Sequence, residues 1–138
     1  MLKGIDVSGY QSISGGTYDS SYVETAYSGS DFVIAKATQG TRPMNSYMTA
    51  QLERALADGK LIGVYHYADG GDPAAEADAF LDRVSSYIGR ALLALDWETT
   101  DNDAWGSTTW SRRFADRVHE RTGIWPVVYT YPDRKSVV

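Results

Sequence analysis

Strand-length apolar runs and helix-length amphipathic runs alternate along this chain through four full units, and one more strand run closes the series. The strand runs are 2–8, 31–37, 61–67, 91–97 and 125–130; the helical runs fall over 18–27, 46–58, 72–88 and 107–122. The connections are short, so consecutive strands lie side by side in the same direction and each helix carries the chain back across the sheet. The predicted class is α/β, with parallel strands covered by helices. Ligands in such folds bind at the carboxyl ends of the strands. Four of these ends carry polar side chains: Asp6 on the first, Lys36 on the second, Tyr65 to Tyr67 on the third, and Asp96 with Glu98 on the fourth. Four strands delivering polar groups to one rim is a stronger signal than any one of them alone.

The fourth strand carries the most chemistry. Ala91 to Leu95 is apolar, and the run ends in Asp96-Trp97-Glu98. Side chains alternate along a strand, so both acids point one way and Trp97 the other, toward a covering helix. Two carboxylates so close do not ionise independently, and one pKa of the pair is pushed up. That supplies a proton donor beside an anion near neutral pH. The competing reading is that the two acids merely open the following loop.

The other candidates also have bland readings. Asp6 lies inside a short apolar strand and needs a partner or a task; the alternative is a cap on the next loop. Lys36 reaches an acid or a substrate, or else snorkels to solvent. His66 reads as a packed, hydrogen-bonded residue rather than a catalyst. Of Tyr65 and Tyr67, one is expected to donate a hydrogen bond into the site and the other to pack. Trp105 reads as a tethering aromatic of an acidic loop in preference to a sugar platform. His119 falls one position beyond the Trp110, Phe114, Val118 stripe and is expected to be exposed. The segments 9–19 and 41–45 read as loops.

Composition narrows the function classes. The net charge of −5 and pI of about 4.9 argue against a nucleic-acid partner. There is no cysteine, so thiolate metal sites and disulfides are excluded, and two histidines make a zinc site improbable. No metal or cofactor is expected. No apolar run is long enough to span a membrane. Met1-Leu2-Lys3 leads straight into Gly4-Ile5-Asp6-Val7 without the apolar stretch of a signal peptide, so synthesis in the cytoplasm is expected.

Five segments together resemble the family 25 glycoside hydrolases, the Chalaropsis-type lysozymes. They are Gly4-Ile5-Asp6-Val7-Ser8 with Gln11, Phe32-Val33-Ile34-Ala35-Lys36-Ala37-Thr38, Gly63-Val64-Tyr65-His66-Tyr67, Leu95-Asp96-Trp97-Glu98, and Pro126-Val127-Val128-Tyr129-Thr130. The resemblance implies hydrolysis of the β-1,4 bond between N-acetylmuramic acid and N-acetylglucosamine in peptidoglycan, and the start without a signal peptide fits an endolysin of a phage or prophage. It implies Glu98 as proton donor, with Asp96 and Asp6 stabilising positive charge, orienting substrate or activating a nucleophile; glycoside hydrolysis needs such paired carboxylates. Lys36, Tyr65, Tyr67 and Tyr129 are the implied sugar-contacting residues. Gln39 stands where the family often has Glu, which makes it a poor catalytic candidate.

The family's fold is an eight-stranded barrel, and this chain supplies five strands and four intervening helices. The expected architecture is therefore an incomplete TIM-like barrel without its closing strands, and without a further acid that the family supplies near its C-terminus. Residues 1–132 read as a partial catalytic domain. Residues 133–138 look foreign to the family and match a translated sequencing adapter, so the natural protein is expected to be longer. Open edges at the first and fifth strands favour self-association and poor solubility. The alternatives are an inactive fragment, a non-catalytic peptidoglycan-binding module, or a barrel hydrolase using Asp96 and Glu98 as metal ligands.

Overall fold

The computed structural model describes residues 1–130. All five expected strands form, and they pair in sequence order in one parallel sheet: β1 (Gly4–Val7), β4 (Phe32–Gln39), β6 (Leu61–Tyr67), β7 (Leu92–Trp97) and β8 (Val127–Thr130). Helices α1 (Ser21–Ser28), α2 (Met48–Ala57), α3 (Pro73–Arg83) and α4 (Thr108–Thr122) make the four crossovers. The sheet curls into a half-barrel whose edges stay open. Residues 133–138, read as a foreign tail, lie outside the described residues.

Capping chemistry fixes three helix starts. The Ser20 hydroxyl accepts from Val23 N, the Asp72 carboxylate from Ala74 N ahead of Pro73, and the Ser107 hydroxyl from Trp110 N. At the end of α4, Gly123 adopts the left-handed conformation (φ 74°) that only glycine takes without penalty. The third helix is shorter than expected: it stops at Arg83, and a 3₁₀ turn, Ser85–Tyr87, leads into β7.

The outward faces of the strands make the core. Val33, Ala35, Val64, Leu93 and Leu95 are buried with Leu52 of α2, Phe80 of α3 and Phe114 of α4. His66 belongs to this layer and is fully buried, stacked on Phe114. Its Nδ1 meets Thr38 Oγ1 at 2.7 Å and its Nε2 meets Glu76 Oε1 at 2.8 Å. Glu76 also accepts from the backbone N–H groups of Asp69 and Gly71, so this buried polar cluster is closed. His66 is packed and hydrogen-bonded, as expected.

Two segments expected to be loops contain strands. Residues 9–19 include a hairpin of β2 (Ile13–Ser14) and β3 (Thr17–Tyr18). Its two-residue turn is Gly15-Gly16, both with positive φ, the conformation that a tight hairpin requires. Segment 41–45 contains β5 (Arg42–Pro43), which turns back on the end of β4. β4 itself runs on through Gln39, two residues past its expected end, with an irregularity in its register between Lys36 and Thr38.

Register places the polar residues in rows. Lys36 lies beside Tyr65, and Tyr67, Asp96 and Tyr129 occupy one row across β6, β7 and β8. All of these are on the inner face of the half-barrel, toward the carboxyl ends of the strands. Among the described residues no helix is long and apolar enough to cross a membrane.

Candidate active site

The carboxyl rim encloses a cavity of about 390 Å³. Asp6, Lys36, Tyr65, Tyr67, Asp96, Glu98 and Tyr129 all line it, so the residues named as catalytic or sugar-contacting candidates meet at one cavity. Ser8, Tyr10, Ile34, Ala94, Val127 and Val128 complete the wall.

Asp96 is the buried member of the acid pair, 8% exposed, while Glu98 is half-buried. The Asp96 carboxyl is pushed up to about 8. Burial is the main cause, followed by the charge of Glu98, a hydrogen bond with Glu98, and the charge of Asp6; Lys36 opposes them. Asp96 Oδ1 is buried without a hydrogen-bond partner among the described residues, which also favours the neutral acid. Asp96 therefore keeps its proton into the neutral range, hydrogen-bonded with Glu98. Asp96 faces the cavity from within the sheet, whereas Glu98 stands just past the end of β7, where its carbonyl accepts from Asn102 Nδ2 at 3.0 Å.

Lys36 is half-buried in the cavity wall. Its Nζ donates to Gln39 Oε1 at 2.9 Å and sits 4.8 Å from the centroid of the Tyr67 ring. Burial lowers its pKa, against the pull of Asp96 and Glu98. Gln39 thus positions the lysine.

The expected division of labour between Tyr65 and Tyr67 is corrected. Both line the cavity, because residues two apart on a strand share a face; the residue that packs is His66 between them. The Tyr67 hydroxyl donates to the Thr100 carbonyl at 2.6 Å and so ties the loop after β7 to the rim. Burial, then the charges of Glu98 and Asp96, push its pKa up to about 12. Trp97 points away from both acids and packs on Trp110 of α4, with ring centroids 5.3 Å apart. Trp105 stacks on the same indole at 5.9 Å, which fits its tethering role. His119 is half-buried rather than exposed, because its ring stacks on Trp125 with centroids 3.9 Å apart.

Sequence reasoning missed Ser8 and Tyr10. Both lie past the end of β1, in the turn closed by Gln11 N donating to Ser8 O, where strand alternation no longer applies. It also missed the buried amides of Asn45 and Gln51, for which the sequence carries no cue beyond the place of Gln51 beside Leu52 on α2. Among the described residues, no three His, Cys, Asp or Glu side chains are grouped to hold a metal ion.

Parallel strands that gather two carboxylates and several tyrosines at their carboxyl rim define a class, the half-barrel α/β domain with an acidic cleft. The family follows from comparison: residues 5–135 match the family described as Glycosyl hydrolases family 25, and the chain belongs to it. It is 34% identical over 147 residues to an N,O-diacetylmuramidase of Chalaropsis sp, covering 95% of this chain and 66% of that one. The muramidase structure from Acremonium alcalophilum superposes with a TM-score of 0.74 at 29% identity, covering 94% of this chain and 65% of that one. The modular Cpl-1 endolysin, complexed with a peptidoglycan analogue, matches with a TM-score of 0.69 at 27% identity over 96% of this chain and 38% of that one. The chain thus spans about two thirds of the length of the muramidases it resembles.

Proposed function

We propose that this site hydrolyses the β-1,4 bond between N-acetylmuramic acid and N-acetylglucosamine in peptidoglycan. The observation that carries the reading is the Asp96–Glu98 pair, joined by a hydrogen bond at the wall of an open cavity that Asp6 and Lys36 also line. Family membership and the muramidases and endolysin similar to this chain support the same substrate.

Glu98 is the less buried acid: it takes the proton of Asp96 through their hydrogen bond and gives it to the leaving glycosidic oxygen as the bond to the anomeric carbon breaks. The negative charge of Asp6, on the same wall, stabilises the positive charge that develops on the sugar. Water adds to the anomeric carbon, and its second proton returns to the acid pair. Lys36 holds the pair's net charge in check, and Tyr65, Tyr67 and Tyr129 bound the sugar site. In its finer form the reading is wall lysis of the endolysin type.

A second reading is a peptidoglycan-binding module without turnover. It is favoured by β8, where all four residues are exposed. One experiment separates the two: incubate the chain and its Glu98→Gln variant with purified peptidoglycan, then measure both pelleting and newly released reducing ends. Hydrolysis by the wild type that falls by about 10²–10⁴ in Glu98→Gln, with pelleting retained, supports the enzyme. Pelleting without reducing ends in either protein supports the binding module. Full activity in Glu98→Gln refutes the assignment of the acid.

A further inference from the structure

Tyr10 is 94% exposed, yet it lines the same cavity as the acid pair. Exposed aromatic rings occur elsewhere; Tyr22, 84% exposed on α1, is one. Tyr10 differs in how its backbone is held.

The turn after β1 is fixed from inside. Ser8 N donates to Gln11 Oε1 at 2.8 Å, and Tyr10 N donates to Ser8 Oγ at 3.2 Å. Gln51 Nε2, from α2, donates to both Ser8 O at 3.0 Å and Gln11 O at 2.9 Å. Gln51 Oε1 accepts from Asn45 Nδ2 at 2.7 Å, and the same Nδ2 donates to the backbone carbonyl of Lys36 at 3.1 Å. Gln51 is fully buried and Asn45 is 2% exposed, so the bond between these two amides forms away from competing water. They join the turn that carries Tyr10 to the strand that carries Lys36.

A loop held this firmly loses little entropy when it binds a ligand. An apolar ring kept in water at such a place is a surface waiting for an apolar partner. The partner must also reach Asp6, Lys36 and the acid pair, so it is polar at its edges and apolar on a face. A pyranose has that character: hydroxyl and acetamide groups around the ring, C–H bonds on one face.

We propose that Tyr10 is a glycan-binding residue whose ring stacks on the C–H face of a sugar of the strand bound in this cavity, at its β1 side. The proposal rests on the glycan-cleaving reading above and adds a specificity determinant to it. Tyr10 binds and aligns the chain without taking part in proton transfer.

The test uses the full chain with purified insoluble peptidoglycan. Half-saturation in pelleting, and KM against kcat from reducing-end release, are measured for wild type, Tyr10→Ala, Tyr10→Phe and the control Tyr22→Ala. Tyr10→Ala should weaken half-saturation and raise KM about tenfold, with kcat within about twofold. Tyr10→Phe should stay within about twofold of wild type, since the ring carries the interaction. Melting temperatures should not change, because the side chain is in water. Wild-type affinity in Tyr10→Ala, or an equal loss in Tyr10→Phe, overturns the stacking role while leaving the function reading intact. A wild-type chain that neither binds nor cleaves peptidoglycan overturns that function reading and this proposal with it.

Discussion

Replacing Asp96 by Asn should stabilise the fold in mildly alkaline solution while it removes activity. In the folded state the Asp96 carboxyl titrates at about 8, well above its ordinary value of 3.8. Between those values the folded chain holds a proton that the unfolded chain has released, so stability falls as pH rises through this window. Linkage puts the loss between pH 5 and pH 8 at about 3–4 kcal/mol, and water entering the open cleft reduces it to about 2 kcal/mol. Asn carries no titrating proton, and its Nδ2 can still donate to Glu98. The difference in stability between variant and wild type should therefore grow by about 2 kcal/mol from pH 5 to pH 8, or roughly 5–8 °C in melting temperature. Thermal melts followed by circular dichroism over this range, with reducing-end release in parallel, make the check. A difference that stays constant with pH would show that Asp96 is not the group holding the proton, and the acid–base scheme would fall with it.

Three further outcomes are expected. Lys36→Met removes the cation that opposes proton uptake by Asp96, so the alkaline limb of the pH–rate profile should move up by about one unit; an unmoved limb would show that Lys36 does not act on the pair. Burial raises the pKa of Glu76, but its bonds from His66, Asp69 N and Gly71 N outweigh this and hold the carboxyl below its usual range. Glu76→Ala should therefore cost about 3 kcal/mol in urea melts near neutrality, the loss shrinking as pH falls below the ordinary carboxyl range and wild-type Glu76 takes up a proton. Gly70 has φ 89°, and a Cβ there would run into the backbone nitrogens of Asp103 and Ala104; Gly70→Ala should cost about 2–4 kcal/mol and speed proteolysis of the loop over 99–106.

The sequence by itself determined the order of elements and the rim. Periods of two and of about 3.6 residues are local properties, so all five strands and four helices were legible, as were the ends at which Asp6, Lys36, Tyr65, Tyr67, Asp96 and Glu98 emerge. The opposite directions of Trp97 and its two acidic neighbours followed from the same alternation. That alternation also required Tyr65 and Tyr67 to share a face, and the expectation that one of them packs overlooked it. The short strands β2, β3 and β5 escaped because two residues carry no period, although Gly15-Gly16 is a hairpin signal. The tertiary structure alone decided the electrostatics. Which acid of the pair keeps the proton depends on how deeply each is buried and on which charges lie across the cavity, and no spacing along the chain encodes either. The same holds for the Asn45–Gln51 bridge that presents Tyr10: its bonds join residues about 40 apart, and only the fold brings them within reach.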